Sequence, residues 1–455
     1  MKGAQPIPVP EGFLKRMQGQ LGNQFEAFID ALDSPLPPSI RLHPFKKARQ
    51  YEFELNNPVK WGNQGFYLNK RPVFTLDPVF HAGGYYVQEP SSMLMEDVIK
   101  YHLENIDDPC VLDLCASPGG KSTSILSQLN GKGLLVSNEI ISSRLAGLQH
   151  NLIKWGFSNQ VMTQSDPERF KQLPGFFDLI MIDAPCSGEG LFRKDHSSRL
   201  EWNEYYTNQC KLRQQRILND VFDALKPGGI LVYSTCTYNP EENIDQLYFL
   251  QNLGMQTLTT PPLENYSVVR IEKGQVHGYQ AYPHLIRGEG FFIGVLRKST
   301  ECPVKSQPGV NRQIQWTSLP QAAGFLDSKE KELAYFIHHD HYFDFPGIEK
   351  YRLEALGGAV RIVEAGSALG QLKNNDFIPA HSQALKVHCP VDIEIIDLDK
   401  DQAIRYLRKE TILVGGKISG YQLVRFQGLN LGWVKRLKDR TNNLYPKNYR
   451  ILMSG

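Results

Sequence analysis

The chain has no long apolar run, no paired cysteines and no pronounced charge of either sign. Nothing in its 455 residues approaches the roughly 20 consecutive apolar residues of a membrane-spanning helix, so no membrane partner is expected. The first twelve residues, MKGAQPIPVPEG, hold three prolines and no apolar core and do not read as a secretory signal; the expectation is a soluble, cytoplasmic protein. Seven cysteines form no Cys-x-x-Cys pair, and their odd number points to reduced thiols, any one of which is free for chemistry. The run His338-His339-Asp340-His341 has no second ligand cluster near it in sequence, so it is read as polar surface and no metal is expected. The net charge of +2 hides an asymmetry: residues 401–455 hold eleven Lys/Arg against three Asp/Glu, a local +8, which leaves −6 on the rest. An electropositive tail suits a polyanionic partner.

What is present is an ordinary globular composition, 41% hydrophobic and 22% charged, enough for a large core, and a length that fits two to four domains. The chain is organised around residues 111–121, VLDLCASPGGK, a short apolar run ending in a Gly-Gly turn, followed by STSILSQL at helical spacing. Such a strand-turn-helix opens nucleotide-binding α/β domains, because a turn without bulky side chains lets backbone N–H groups and a helix N-terminus face a ligand.

Upstream, Phe13, Met17, Leu21, Phe25, Phe28 and Leu32 recur at steps of three and four, which predicts an amphipathic helix pair broken near Gly22 and ended by Pro35, Pro37 and Pro38. Residues 39–42 and 66–68 read as strands of a small α+β unit, with Lys46, Lys47 and Arg49 between them either as solvated loop charges or as an RNA-facing edge. In HAGGYYVQEPSSMLMEDVIK, Ser91 and Ser92 are placed as an N-cap to an apolar helix. Strand and helix patterns then alternate: strands at 111–114, 134–138, 161–164, 179–182 and 230–234, with helices between, predict parallel βαβ units in a doubly wound sheet, closed by a late strand at 291–296. Beyond 299 the elements weaken. Residues 330–337 look helical, and 421–437 look like a hairpin turned at Gln427-Gly428-Leu429-Asn430, in which Arg425, Lys435 and Arg436 alternate with Tyr421, Phe426 and Trp433. Such interleaving builds nucleic-acid stacking platforms, and half-buried aromatics of an ordinary sheet look the same.

In an open α/β sheet the ligand lies at the carboxyl ends of the strands, so the residues just after each strand are informative. They are 115–121, then Glu139, Asp166, Asp183-Ala-Pro-Cys186 and Thr235-Cys236-Thr237. Glu139, nineteen positions past Gly120, stands where an acid accepts hydrogen bonds from ribose hydroxyls, and Asp166 is placed to meet an adenine edge; singly each reads as a cap or surface charge. The turn lacks G-x-G-x-x-G, and Cys115 replaces the first glycine of a P-loop although Gly120-Lys121-Ser122 fits its end. An adenosine cofactor without phosphates, S-adenosylmethionine, matches that turn. Buried cysteines usually behave as small hydrophobes. Two at neighbouring strand ends beside Asp183 suggest a thiolate, needed when the group to be alkylated is not itself a nucleophile, as at carbon 5 of a pyrimidine.

LDLCASPGGKS, DAPCSGEG and YSTCTYNPEEN, with QEPSSM upstream and PHLIRGEGFFIG downstream, resemble the Sun (Fmu) family of RNA cytosine carbon-5 methyltransferases. Within it, the length and the basic tail are similar to the RsmF-type (YebU-like) enzymes of the bacterial small ribosomal subunit. The resemblance implies a Rossmann-like methyltransferase sheet at 75–300, an N-terminal α+β RNA-binding extension at 1–74, an accessory segment at 301–394 and a basic PUA-like domain at 395–455. It implies that Cys115, Ala116, Ser117, Pro118, Gly119, Gly120 and Lys121 wrap S-adenosylmethionine, with Glu139 on the ribose, Asp166 on the adenine and Arg144 nearby. It also implies that Asp183, supported by Lys121, hydrogen-bonds the cytosine, that Cys236 is the nucleophile and that Cys186 helps release the product. The implied substrate is 16S ribosomal RNA or the small subunit, and the implied state a monomer. Two alternatives stay open: the same chemistry on transfer RNA, and a non-catalytic RNA-binding ribosome-assembly factor.

Overall fold

The computed structural model describes residues 7–301, 314–326, 332–389, 392–412, 419–438 and 440–453. Cys302, and Glu330 at the start of the expected helix, lie outside them.

The α/β expectation holds at its centre. Five parallel strands, Cys110–Asp113, Leu134–Asn138, Gln160–Thr163, Phe177–Asp183 and Leu225–Thr235, lie in the spatial order third, second, first, fourth, fifth. Every residue of the first three is buried, because helices cover both faces and the strands have no solvent side on which to alternate. The order reverses between the first and fourth strands, and a crevice opens at the carboxyl ends there.

The sheet does not close at residue 291. Phe291–Lys298 pairs antiparallel with Leu225–Thr235 and is followed outward by Val276–Ala281 and Val269–Lys273, while Met255–Thr257 also pairs with it. At the opposite edge, Ile362–Ala365 pairs antiparallel with Gln160–Thr163, so chain from beyond residue 300 completes the sheet. The part of 330–337 that is described is not a helix: Leu333–His338 is a strand, and its side chains alternate between buried and half-buried with the period of two that a strand imposes. Its hairpin partner is His341–Pro346, and the His-His-Asp-His run forms the turn, with His339 and Asp340 both left-handed. No cluster of three metal-ligating side chains exists among the described residues.

The N-terminal helices Glu11–Leu21 and Phe25–Asp33 break at Gly22, which adopts φ +53°. Their apolar stripe, Phe13, Met17, Phe28 and Leu32, is fully buried against Phe192, Trp202, Tyr238 and Tyr282. At roughly 1.5–3 kcal/mol per buried side chain this anchors the helices to the loops that follow the fourth and fifth strands. Glu189, also fully buried, ties the same region together by accepting from Arg16 (2.6 Å), the Trp202 indole (2.9 Å) and the Tyr238 amide (3.0 Å).

The small sheet Gly65–Tyr67, Ser39–Leu42 and Tyr85–Val87 shares one core with the C-terminal tail, where Ile40, Val79 and Tyr85 meet Tyr406, Val424 and Leu431. The two ends of the chain therefore pack together. The expected tail hairpin is present as Gly420–Phe426 and Leu429–Arg436, but its aromatics form no open platform. Trp433 and Phe426 are buried and Tyr421 stacks on Phe325, while Arg425 and Lys435 pair with Asp397 and Asp376. Lys46 does not face solvent either: its ammonium is buried and donates to the carbonyls of Lys154 (2.6 Å), Leu385 (2.5 Å) and Ala82 (3.4 Å). No helix among the described residues is long and apolar enough to cross a membrane.

Candidate active site

At the switch point the first strand runs into the turn 115–119, where Gly119 takes φ +108° and caps the helix Gly120–Leu129. A Cβ on Gly120 would lie 3.3 Å from the Tyr86 ring, so a larger residue there would press on the ring that the N-terminal sheet places against the turn. Arg41 fastens this contact: its guanidinium, fully buried over the Trp155 ring, donates to the Gly120 carbonyl (3.0 Å) and the Thr123 hydroxyl (2.6 Å).

A cavity of about 320 Å³ opens beside the turn. Its lining includes Cys115, Ala116, Ser117, Pro118, Gly120, Lys121, Asp183 and Cys236. A larger hollow of about 600 Å³ lies at the opposite, amino-terminal ends of the strands and is lined by none of these residues.

The Lys121 ammonium donates to Asp183 Oδ2 at 2.7 Å, and the Ser234 hydroxyl donates to Oδ1 at 3.0 Å. Burial by itself lowers the Lys121 pKa, but the Asp183 carboxylate overrides it and the net shift is upward, so the lysine stays charged. The sulfurs of Cys186 and Cys236 stand 3.3 Å apart. The hydrogen bond between them, followed by burial, raises the Cys186 pKa well above the ordinary thiol value, so Cys186 keeps its proton. The Cys186 loop is held from below by Glu242, which accepts from the Ser187 amide (2.8 Å) and hydroxyl (2.5 Å) and which burial pushes up to about 7.

The remaining predicted residues stand outside the cavity wall. Glu139 is buried and accepts from the Ile141 amide (2.8 Å), with Arg144 3.4 Å away. Arg144 in turn donates to the Ser117 carbonyl (2.8 Å), so these two residues bear on the turn's backbone. Both oxygens of Asp166 lie 2.7 Å from Arg216 Nη2, and Asp166 caps the turn Pro167–Gln172. Ser91 and Ser92 are not the cap expected of them. The acceptor is Glu89, whose carboxylate takes the amides of Ser91 (2.9 Å) and Ser92 (2.8 Å) at the head of a 3₁₀ turn, because the turn's first N–H groups need an acceptor that reaches back from the preceding loop.

Sequence reasoning passed over Tyr86, Glu89, Glu289 and Phe291, all of which line the cavity. The signal was present in QEPSSM and RGEGFF, where an acid sits inside each motif, but nothing local says that two segments 200 residues apart converge.

Asp113, at the end of the first strand, is fully buried, accepts from the Ser122 hydroxyl (2.6 Å) and is pushed up to about 7, chiefly by burial. Between its unfolded value near 4 and about 7 the folded chain holds a proton that the unfolded chain has lost. Stability therefore falls as pH rises through that window, by about 4 kcal/mol at most, and levels off above it. Asp113→Asn is expected to raise the urea midpoint at pH 8 and to match the parent at pH 4; a pH-independent difference contradicts this.

Comparison with known sequences bears on what this cavity serves. A profile described as 16S rRNA methyltransferase RsmB/F matches residues 100–297, one for the N-terminal domain of 16S rRNA methyltransferase RsmF matches 9–90, and one for the methyltransferase RsmF PUA domain matches 394–451. The chain is 30% identical to ribosomal RNA small subunit methyltransferase F of Erwinia tasmaniensis, over 96% of each. The chain belongs to the RsmF family of ribosomal RNA methyltransferases. The Salmonella agona protein of that name is 29% identical over the same shares. Among solved structures, a methyltransferase homolog protein from Pyrococcus horikoshii is 27% identical, with a TM-score of 0.54 over 64% of this chain and 96% of that one. NSun6 from the same organism shares the fold at 21% identity, with a TM-score of 0.50 over 65% and 99%.

The cofactor of this RsmF-family chain is S-adenosylmethionine. The cavity fits it in size, within the roughly 300–1,000 Å³ of small-molecule sites. It also fits in charge: the wall carries Glu89, Asp183 and Glu289 against Lys121, which repels phosphates and favours a sulfonium cation.

Proposed function

We propose that the chain methylates carbon 5 of a cytosine in 16S ribosomal RNA through a covalent adduct of Cys236. The observation that carries the reading is the pair of sulfurs 3.3 Å apart, one after the fourth strand and one after the fifth, beside the Lys121–Asp183 pair and next to the turn 115–119.

S-adenosylmethionine would be held by the backbone of 115–120, with Glu139 and Arg144 behind that turn and Asp166 on the adenine, and would supply an electrophilic methyl carbon. Carbon 5 of cytosine is too weak a nucleophile to take that methyl unaided. The Cys236 thiolate adds to carbon 6, the carbon 5–carbon 6 double bond opens, and its electron pair is left on carbon 5, which would bond to the methyl carbon as the methyl–sulfonium bond breaks and that bond's pair stays on the departing thioether sulfur. Loss of the carbon 5 proton re-forms the double bond and expels Cys236 as a thiolate. Cys186, which retains its proton, donates to that sulfur and eases its departure. Asp183, paired with Lys121, accepts from the exocyclic amine of cytosine; uracil presents a carbonyl oxygen there and is repelled. A stacked base cannot reach Cys236, so the target cytosine is unpaired or flipped, at a cost of a few kcal/mol.

The test is Cys186→Ala. Incubated with cofactor and small-subunit RNA, it is expected to accumulate a protein–RNA adduct that survives denaturation, to form it on 16S RNA and not on transfer RNA, and to turn over at least about 100-fold more slowly than the parent. Free turnover without adduct would count against the roles given to both thiols.

A further inference from the structure

Removal of the carbon 5 proton requires an acceptor, and three acidic residues, Asp183, Glu89 and Glu289, are among those that line the cavity. Two are committed. Asp183 is taken by Lys121 and Ser234. Glu89 accepts the amides of Ser91, Ser92 and Glu289 and the Ser91 hydroxyl. Cys186 still carries its own proton. The third carboxylate, Glu289, has only a mostly exposed Lys194 at 3.6 Å as an ion-pair partner among the described residues.

The backbone holds Glu289 beside the nucleophile. The Tyr238 hydroxyl donates to the Glu289 carbonyl, and the Glu289 amide donates to Glu89 at 2.7 Å. A Cβ placed on Gly190 would lie 2.9 Å from the carbonyl oxygen of Cys236 and 3.0 Å from that of Glu289, so the two segments converge on one glycine. Its successors Gly290 and Phe291 also line the cavity, and the Phe291 ring lies 5.1 Å from the Lys121 ammonium.

We propose that Glu289 is the base that takes the proton from carbon 5 of the methylated adduct. This rests on the covalent reading above. The step balances: the carbon 5–hydrogen bond breaks with its proton passing to the Glu289 carboxylate, its electron pair closes the carbon 5–carbon 6 double bond, and the carbon 6–sulfur pair leaves with Cys236. The charges that face Glu289 are consistent with the task. Burial and, next, the nearby Glu89 push its carboxyl up, while Lys194 and Arg193 oppose them, and it comes to about 7, where a proton is both accepted and released near neutral pH.

The experiment uses the full chain, 16S RNA and S-adenosylmethionine labelled in its methyl group. Glu289→Gln is expected to lose turnover by at least about 1,000-fold and to accumulate an adduct that carries the labelled methyl. An unlabelled adduct, or turnover within tenfold of the parent, overturns the proposal. So does absence of adduct in Glu289→Gln while Cys186→Ala still forms one. Absence in both brings down the covalent reading itself. A second measurement does not depend on the amide variant folding: Glu289→Asp, with its carboxylate drawn back, is expected to show a larger kinetic isotope effect than the parent on RNA deuterated at cytosine carbon 5. An unchanged isotope effect overturns the assignment.

Discussion

Cys236→Ala is expected to abolish methyl transfer, by a factor of about 10⁴ or more, while cofactor affinity stays within about twofold. The size follows from the chemistry: without a sulfur at carbon 6, the ring carbon that must take the methyl never acquires its electron pair. The remaining functions are spared because they belong to other atoms. The turn proposed to meet the cofactor is held by Arg41, Asn138 and Arg144, none of which is hydrogen-bonded to the Cys236 sulfur. Cys236 is half-buried beside Cys186, so losing one sulfur removes little packing. Isothermal titration with the cofactor and a single-turnover methylation assay separate the two effects. Residual turnover above about one per cent of the parent would mean that another group attacks carbon 6.

Asp183→Asn is the second large effect, with an expected loss of about 10³ in kcat/KM. Three contributions act together. The amide no longer holds Lys121 by charge, although that ammonium is only 15% exposed. It presents an N–H where, in the proposed mechanism, the carboxylate accepts from the cytosine amine. It also tolerates a uracil carbonyl, so the preference for cytosine over uracil narrows by at least about tenfold. The stability cost is smaller, about 1–2 kcal/mol, since the Asp183 side chain is a third exposed and water screens part of the pair. A kcat/KM comparison on matched cytosine and uracil oligonucleotides, read beside urea midpoints, distinguishes this from general unfolding; a uniform loss on both bases would contradict the recognition role.

The parts of the fold legible in the sequence are those whose signal is local. Strands buried on both faces read as continuous apolar runs, so the five parallel strands and the residues at their carboxyl ends could be placed before any coordinates. The left-handed Gly119 and the hairpin at Gln427-Gly428 are likewise properties of a few adjacent residues. What failed depended on distant partners. Lys46 reads as a surface charge because no sequence shows that three carbonyls from three other segments surround its ammonium. The edge strand Ile362–Ala365 pairs with a strand about 200 residues earlier, and residues 330–337 read as a helix because so short an apolar stretch fits either period. The aromatics of the tail hairpin alternate with basic residues in a platform and in an ordinary core alike; burial of Trp433 decides for the core.

The central claim is that Cys236, and not its neighbour Cys186, bonds to the RNA base. It is tested most directly by digesting the adduct of Cys186→Ala with protease and nuclease and weighing the peptides. The account predicts one nucleotide-bearing peptide, the one that contains Cys236, and its disappearance when Cys236→Ala is added to the same chain. A nucleotide on any other peptide, or one that persists in the double variant, contradicts it.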